Sequence, residues 1–199
     1  EKDKKSACRD LILKYRDDWA VWNFVEVLSL SKTIRLYEYF YRKYEKKKYK
    51  NISGLLYSVQ YLRNATAHNN CLLNSIKRGY TKDGEVLNRS VFTSLCNTTL
   101  ISPPEDVRNE AIRGDYAITT KRLKHWMQNP VINDFIVTLI AYTKIVSSKE
   151  LAAHRFNELK SFFEGRAIQH KEYFIENTSI RTAYKFMEKF LDFLIASYI

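Results

Sequence analysis

Helix-breaking residues are scarce in this sequence. Its 199 residues hold five glycines and three prolines, and none of either falls in 1–53, 55–78, 131–164 or 166–199. Stretches of that length without turn residues argue against an all-β architecture and favour a mostly helical one. Cysteine is also rare. Cys8, Cys71 and Cys96 are odd in number, scattered and in no metal-ligand spacing, which fits a reducing, cytoplasmic setting with neither a disulfide framework nor a zinc site.

Long apolar runs are missing too. The most apolar one, "FIVTLIAY" at 135–142, is too short to span a bilayer, and no signal peptide opens the chain, so no membrane association is expected. Without a secretory route the Asn-x-Ser/Thr triplets at Asn51, Asn64, Asn88, Asn97 and Asn177 read as chance matches. There is no phosphate-cradling glycine loop, no nucleophile elbow and no His-x-x-x-His pair, and the carboxylates do not cluster. A metal hydrolase is therefore unsupported, and no cofactor is expected.

What the chain does have is positive charge and aromatic rings. Net charge is +11, and 14% of residues are Phe, Trp or Tyr. Residues 1–100 hold 19 Lys and Arg against 10 Asp and Glu, whereas residues 101–199 hold 14 against 12. An excess concentrated in one half points to a polyanionic partner for that half, and a solubilising basic surface is the plainer alternative.

Periodicity sorts the chain into two helical arms around an irregular middle. The first arm reads as a short helix near 6–16, a second after Asp17 or Asp18 covering "WAVWNFVEVLSL", a third capped by Ser31, and a fourth from Ser53 with Leu55, Leu56, Val59 and Leu62 as its core face. Residues 79–130 collect three glycines and all three prolines, and Asp83-Gly84 signals a small hairpin near 80–88. In the second arm Asn129-Pro130 caps one helix and Ser147 with Glu150 forms a capping box for the next. A last helix follows Thr178 or Ser179, its apolar face widened by Phe186, Phe190 and Phe193 to the width of a deeply buried helix or a subunit contact. No repeat or linker appears, so a single domain over 1–199 is expected. The chain opens on "EKDKKS" without a methionine, which leaves room for native residues ahead of it.

The fourth helix runs into "QYLRNATAHNN" at 60–70, which sets Arg63, Asn64 and His68 within six positions. Asn64 and His68 are one turn apart. Arg63 lies roughly 140° round from His68 at about 100° per residue, an offset its long side chain can span. Cutting RNA without a metal needs a base for the 2′-hydroxyl, an acid for the leaving 5′-oxygen and a cation for the crowded phosphate. Histidine suits the proton transfers and arginine the charge. A twofold pair of chains would supply two histidines. Upstream, "YRKYEKKKYK" at 41–50 interleaves Arg42, Lys43, Lys46, Lys47, Lys48 and Lys50 with Tyr41, Tyr44 and Tyr49, a pattern suited to phosphates and unpaired bases, though also to a solvated helix end.

The string "LRNATAHNN" resembles the Arg-x4-His signature of HEPN-superfamily ribonucleases. With "DDWAVWNFVEVLSLSKTIRLYEYF" ahead of it, the first arm resembles the Abi-like (abortive infection) branch of that superfamily, best over 17–75. The resemblance implies an all-α, HEPN-like helical bundle, usually a homodimer whose two motifs face one RNA-cutting cleft. It also implies an antiphage effector or toxin held in check by a partner. It assigns phosphate stabilisation to Arg63, acid or base work to His68 and orientation to Asn64, with Asn69 in support. Glu26 becomes a buried carboxylate supporting Arg63; a solvent stripe of Asn23, Glu26 and Ser29 is the equal alternative from spacing alone. Nucleotidyltransferase-paired HEPN toxins carry a tyrosine two residues after the histidine, where this chain has Asn70, so restraint by RNA or protein is expected over nucleotide attachment. The reading from another class is a non-cleaving module that holds a structured small RNA in a ribonucleoprotein. A purely structural helical adaptor is a third.

Overall fold

The computed structural model describes residues 8–15, 18–44, 52–68, 72, 76, 84–98, 101–102, 118–167, 169–170 and 172–196. Over these residues the chain is an all-α bundle. The first arm comprises α1 (Arg9–Tyr15), α2 (Val21–Val27), α3 (Leu30–Tyr44) and α4 (Ser53–Ala67). The middle holds α5 (Arg89–Cys96) and α6 (Thr120–Trp126). The second arm comprises α7 (Pro130–Ile145), α8 (Lys149–Phe162) continuing into a π-helical turn (Phe163–Ala167), α9 (Glu172–Ile175) and α10 (Thr178–Ala196).

Most of the core belongs to the second arm and the middle. Trp126 of α6 stacks on Phe186 of α10 with centroids 5.5 Å apart, and the series continues through Phe190 to Phe193. These rings, with Ile132, Ile136 and Val137 of α7 and Phe156 of α8, are buried. The widened face of the last helix is thus interior packing, which settles the alternative left open by its pattern. Lys160 of α8 reaches Asp192 of α10 at 2.5 Å and closes that pair from the rim.

Local chemistry explains the helix starts. Asn129 caps α7 by accepting from Val131 N and Ile132 N, with Pro130 in the first turn as the sequence implied. Its amide also donates to the Ile76 carbonyl at 3.2 Å, tying the chain beyond α4 to the start of α7. The cap of α8 is Ser148, whose hydroxyl accepts from Leu151 N and donates to Glu150, one residue later than the capping box placed it. At α2 the N-cap is Ala20, without a side-chain bond, so Asp18 does not serve there.

The hairpin near 80–88 needs correction. Residues 80–83 lie outside the described residues, and 84–88 form no strand. Gly84 does take the left-handed φ of +65°, but its carbonyl accepts from Gln128 Nε2 at 2.6 Å and Leu87 N donates to the Met127 carbonyl. The segment is thus tied through two of its backbone groups to the end of α6 and runs there without a ladder partner among the described residues. The only ladder among the described residues is a two-residue parallel pairing of β1 (Ile101–Ser102) with β2 (Ile118–Thr119).

Candidate functional site

Helix α4 carries the motif and is held from two sides. Its most extensive contact is with α7, and the residues it fully buries are small, Ser53 and Ser58, with Leu55, Leu56, Val59 and Leu62 only half-buried. Small residues let two helix backbones approach closely. Ser58 hydrogen-bonds Asp134 of α7, whose carboxyl burial pushes above the usual carboxylate range, while the bonds from Ser58 and Asn133 partly oppose that rise.

On its other side α4 meets α3. Gln60 Nε2 donates to Ser31 Oγ at 2.9 Å and the Tyr57 hydroxyl donates to Glu38 at 3.2 Å. Partners that advance along α3 while receding along α4 define an antiparallel pair. Ser31, expected as a cap, instead lies inside α3 and faces α4.

The motif forms the last turn of α4. Arg63 is exposed and Asn64 half-buried. His68 is the exposed C-cap, its backbone N–H bonded to the Asn64 carbonyl at 3.0 Å. The Thr66 hydroxyl donates back to the carbonyls of Leu62 and Arg63, so its polar group is spent on its own helix. Arg63 Nη1 donates to Asn64 Oδ1 at 3.2 Å. That bond draws the guanidinium toward His68, because Asn64 sits only roughly 40° from His68 around the axis. The single chain therefore presents an exposed guanidinium and an exposed imidazole at one helix end, with the half-buried Asn64 amide bonded to the guanidinium. Asn69 lies outside the described residues.

Glu26 is exposed on α2, and no ion pair joins it to Arg63 among the described residues. The carboxylate expected beside Arg63 is thus not internal in the single chain; Asn23 is the buried member of its stripe. The rest of α2 is inverted. Val21 and Trp22 are each 71% exposed, and Phe24 and Val25 are exposed as well. The helix thus buries its asparagine and leaves its apolar residues in solvent.

Of the basic residues singled out, Arg42 and Lys43 are exposed on α3, whereas Lys46, Lys47, Lys48 and Lys50 lie outside the described residues. Tyr41 is half-buried with its ring 6.3 Å from that of Tyr37. The exposed rings are Tyr39, Phe40 and Tyr44. Tyr39 and Phe40 were missed, although with Leu36, Lys43 and Tyr44 they recur at helical spacing and that signal was readable. Among the described residues no group of three His, Cys, Asp or Glu is placed to hold a metal, and no helix is long and apolar enough to cross a membrane.

Residues 1–74 match the family model described as Abi-like protein. The match takes in α1 to α4 and the whole Arg63–His68 turn, so the Abi-like resemblance of the first arm holds over the part of the chain that carries the motif. No curated protein and no solved structure matches the chain.

Proposed function

We propose that this protein is a metal-independent endoribonuclease of the HEPN type, acting in the cytoplasm in abortive infection or as a toxin. The observation that carries the reading is the last turn of α4, inside the Abi-like segment, where Arg63 and His68 are exposed and the half-buried Asn64 accepts from the Arg63 guanidinium. In the reaction a base removes the 2′-hydroxyl proton, and the 2′-oxygen attacks phosphorus. The P–O5′ bond breaks as an acid returns a proton to the 5′-oxygen, leaving a 2′,3′-cyclic phosphate and a 5′-hydroxyl. Arg63 steadies the charge that gathers on the phosphoryl oxygens, and Asn64 holds the guanidinium on the histidine side. His68 performs one proton transfer, and His68 of a second copy the other.

The inverted α2 supports the homodimer. Its exposed apolar residues suit contact with a second copy better than contact with water. An RNA or protein partner restrains the enzyme. The other reading, a non-cleaving module that holds a small RNA, draws its support from the exposed rings and cations of α3, which need no chemistry to bind.

Incubation with total cellular RNA in EDTA, followed by end-group mapping, tests the reading. New 2′,3′-cyclic phosphate and 5′-hydroxyl ends support cleavage. Co-purified RNA that stays intact, with no cutting after its removal, supports the binder.

A further inference from the structure

We propose that the outward face of α3 is a stacking platform for single-stranded RNA, with Tyr39, Phe40 and Tyr44 receiving unpaired bases and Lys43 taking the phosphate between them. The proposal rests on RNA being the ligand of this chain, and adds how the strand is held.

Two faces of α3 do different work. Ile34 is buried, and Ser31 and Glu38 are bonded to α4. Opposite them, Leu36, Tyr39, Phe40, Lys43 and Tyr44 follow one another at helical spacing, and all are exposed. Tyr39, Phe40 and Tyr44 keep 56%, 50% and 51% of their surface in solvent. The helix is anchored without them, so its packing does not account for three rings on this side.

The rings are arranged around a cation. Lys43 Nζ lies 5.8 Å from the centroid of Tyr39 and 5.5 Å from that of Tyr44, and the Phe40 and Tyr44 rings are 4.7 Å apart. An ammonium lodged between two phenol rings holds them apart and loses little by turning to a phosphate, while the ring faces accept bases. Charge on the face has one sign. Lys32 and Lys43 are exposed along it, Arg35 and Arg42 are exposed on the flank nearer α4, and the only carboxylate of α3, Glu38, is turned to Tyr57. A second copy meeting this face symmetrically would bring like charges together, which the uncharged apolar residues of α2 avoid. Duplex RNA hides its base faces, so the platform selects unpaired strands.

The test is fluorescence anisotropy with a short labelled oligoadenylate and with a blunt RNA duplex, using His68→Ala protein so that the probe stays whole. Tyr39→Leu with Tyr44→Leu should weaken single-strand binding by at least about fivefold, and by up to about 150-fold for each base that loses its stack. Tyr39→Phe with Tyr44→Phe, which keeps the rings, should bind as the parent does. If the leucine pair disturbs helix content, Tyr44→Leu alone, at the last residue of α3, gives the same reading. Unchanged affinity in the leucine variants overturns the platform, as does equal binding of duplex and single strand. A shift in sedimentation on leucine substitution also overturns it, by making the stripe a protein contact. Cleavage is read separately in the His68 parent: if it fails while stacking holds, the nuclease reading falls and the platform stands, and the converse result spares the nuclease.

Discussion

Replacing Asn129 by alanine removes three hydrogen bonds among the described residues, from a fully buried site. Asn129 is fully buried; its Oδ1 accepts from Val131 N at 3.0 Å and Ile132 N at 3.3 Å, and its Nδ2 donates to the Ile76 carbonyl at 3.2 Å. Loss of the cap costs about 1 kcal/mol, within a range of roughly 0.5–2. Ile76 is itself buried, so its carbonyl is left without this donor at a cost of about 1–3 kcal/mol. Together the loss is roughly 2–5 kcal/mol, read from urea unfolding by circular dichroism. At roughly 2–4 °C for each kcal/mol in a chain of this size, the melting temperature should fall by several degrees or more. Asn129→Asp separates the two parts. It keeps the capping oxygen but turns an oxygen toward the Ile76 carbonyl, so it should be no more stable than the alanine variant. An alanine variant within about 1 kcal/mol of the parent, or an aspartate variant equal to it, would show that these bonds do not hold α7 to the segment beyond α4.

Phe186→Ala opens the ring stack between Trp126 and Phe190 and should cost roughly 3–5 kcal/mol, whereas Phe186→Leu should cost far less; denaturant midpoints distinguish them. Asp134→Asn should stabilise the chain at neutral pH relative to the parent. Because burial raises the folded carboxyl above its unfolded value of about 3.9, this group makes the parent lose stability as pH rises from there through the folded value, and the loss persists above it. The advantage of the asparagine variant should shrink on acidification, and urea midpoints across pH would show it; a constant difference would deny the burial effect. Trp22→Lys should weaken a homodimer by about 2 kcal/mol or more, seen as dissociation in sedimentation, and an unaltered dimer would move the interface away from α2.

Features set by neighbouring residues were legible in the sequence. The Asn129-Pro130 cap follows from side chains within a turn of the boundary, whereas α4 starts at Ser53 as expected although its N-cap, Ile52, makes no side-chain bond. Where two adjacent residues offer the same chemistry, as Ser147 and Ser148 do, the cap fell on the second. Spacing gave the stripe of Asn23 and Glu26 but not which end of it faces inward, and the structure buries the amide and exposes the carboxylate. On α4 the leucines looked like the core face. The fully buried residues of α4 are instead two serines, Ser53 and Ser58, and Ser58 bonds Asp134 of α7. The aromatic stripe of α3 was overlooked because rings at helical spacing ordinarily mean core. The burial of Ile34 and the bonds from α4 to Ser31 and Glu38 show that the opposite face is the one buried. The pairing of 101–102 with 118–119 had no sequence signal at all, being two residues long and joined across a wide separation.

The Arg63–His68 site is tested most directly by the single-turnover rate of RNA cleavage in EDTA, measured for the parent and for His68→Ala at matched folding and RNA affinity. Loss of a positioned acid or base should slow the alanine variant by about 10²–10⁴-fold. An alanine variant that cuts as fast as the parent would remove His68 from the chemistry, and the nuclease assignment with it.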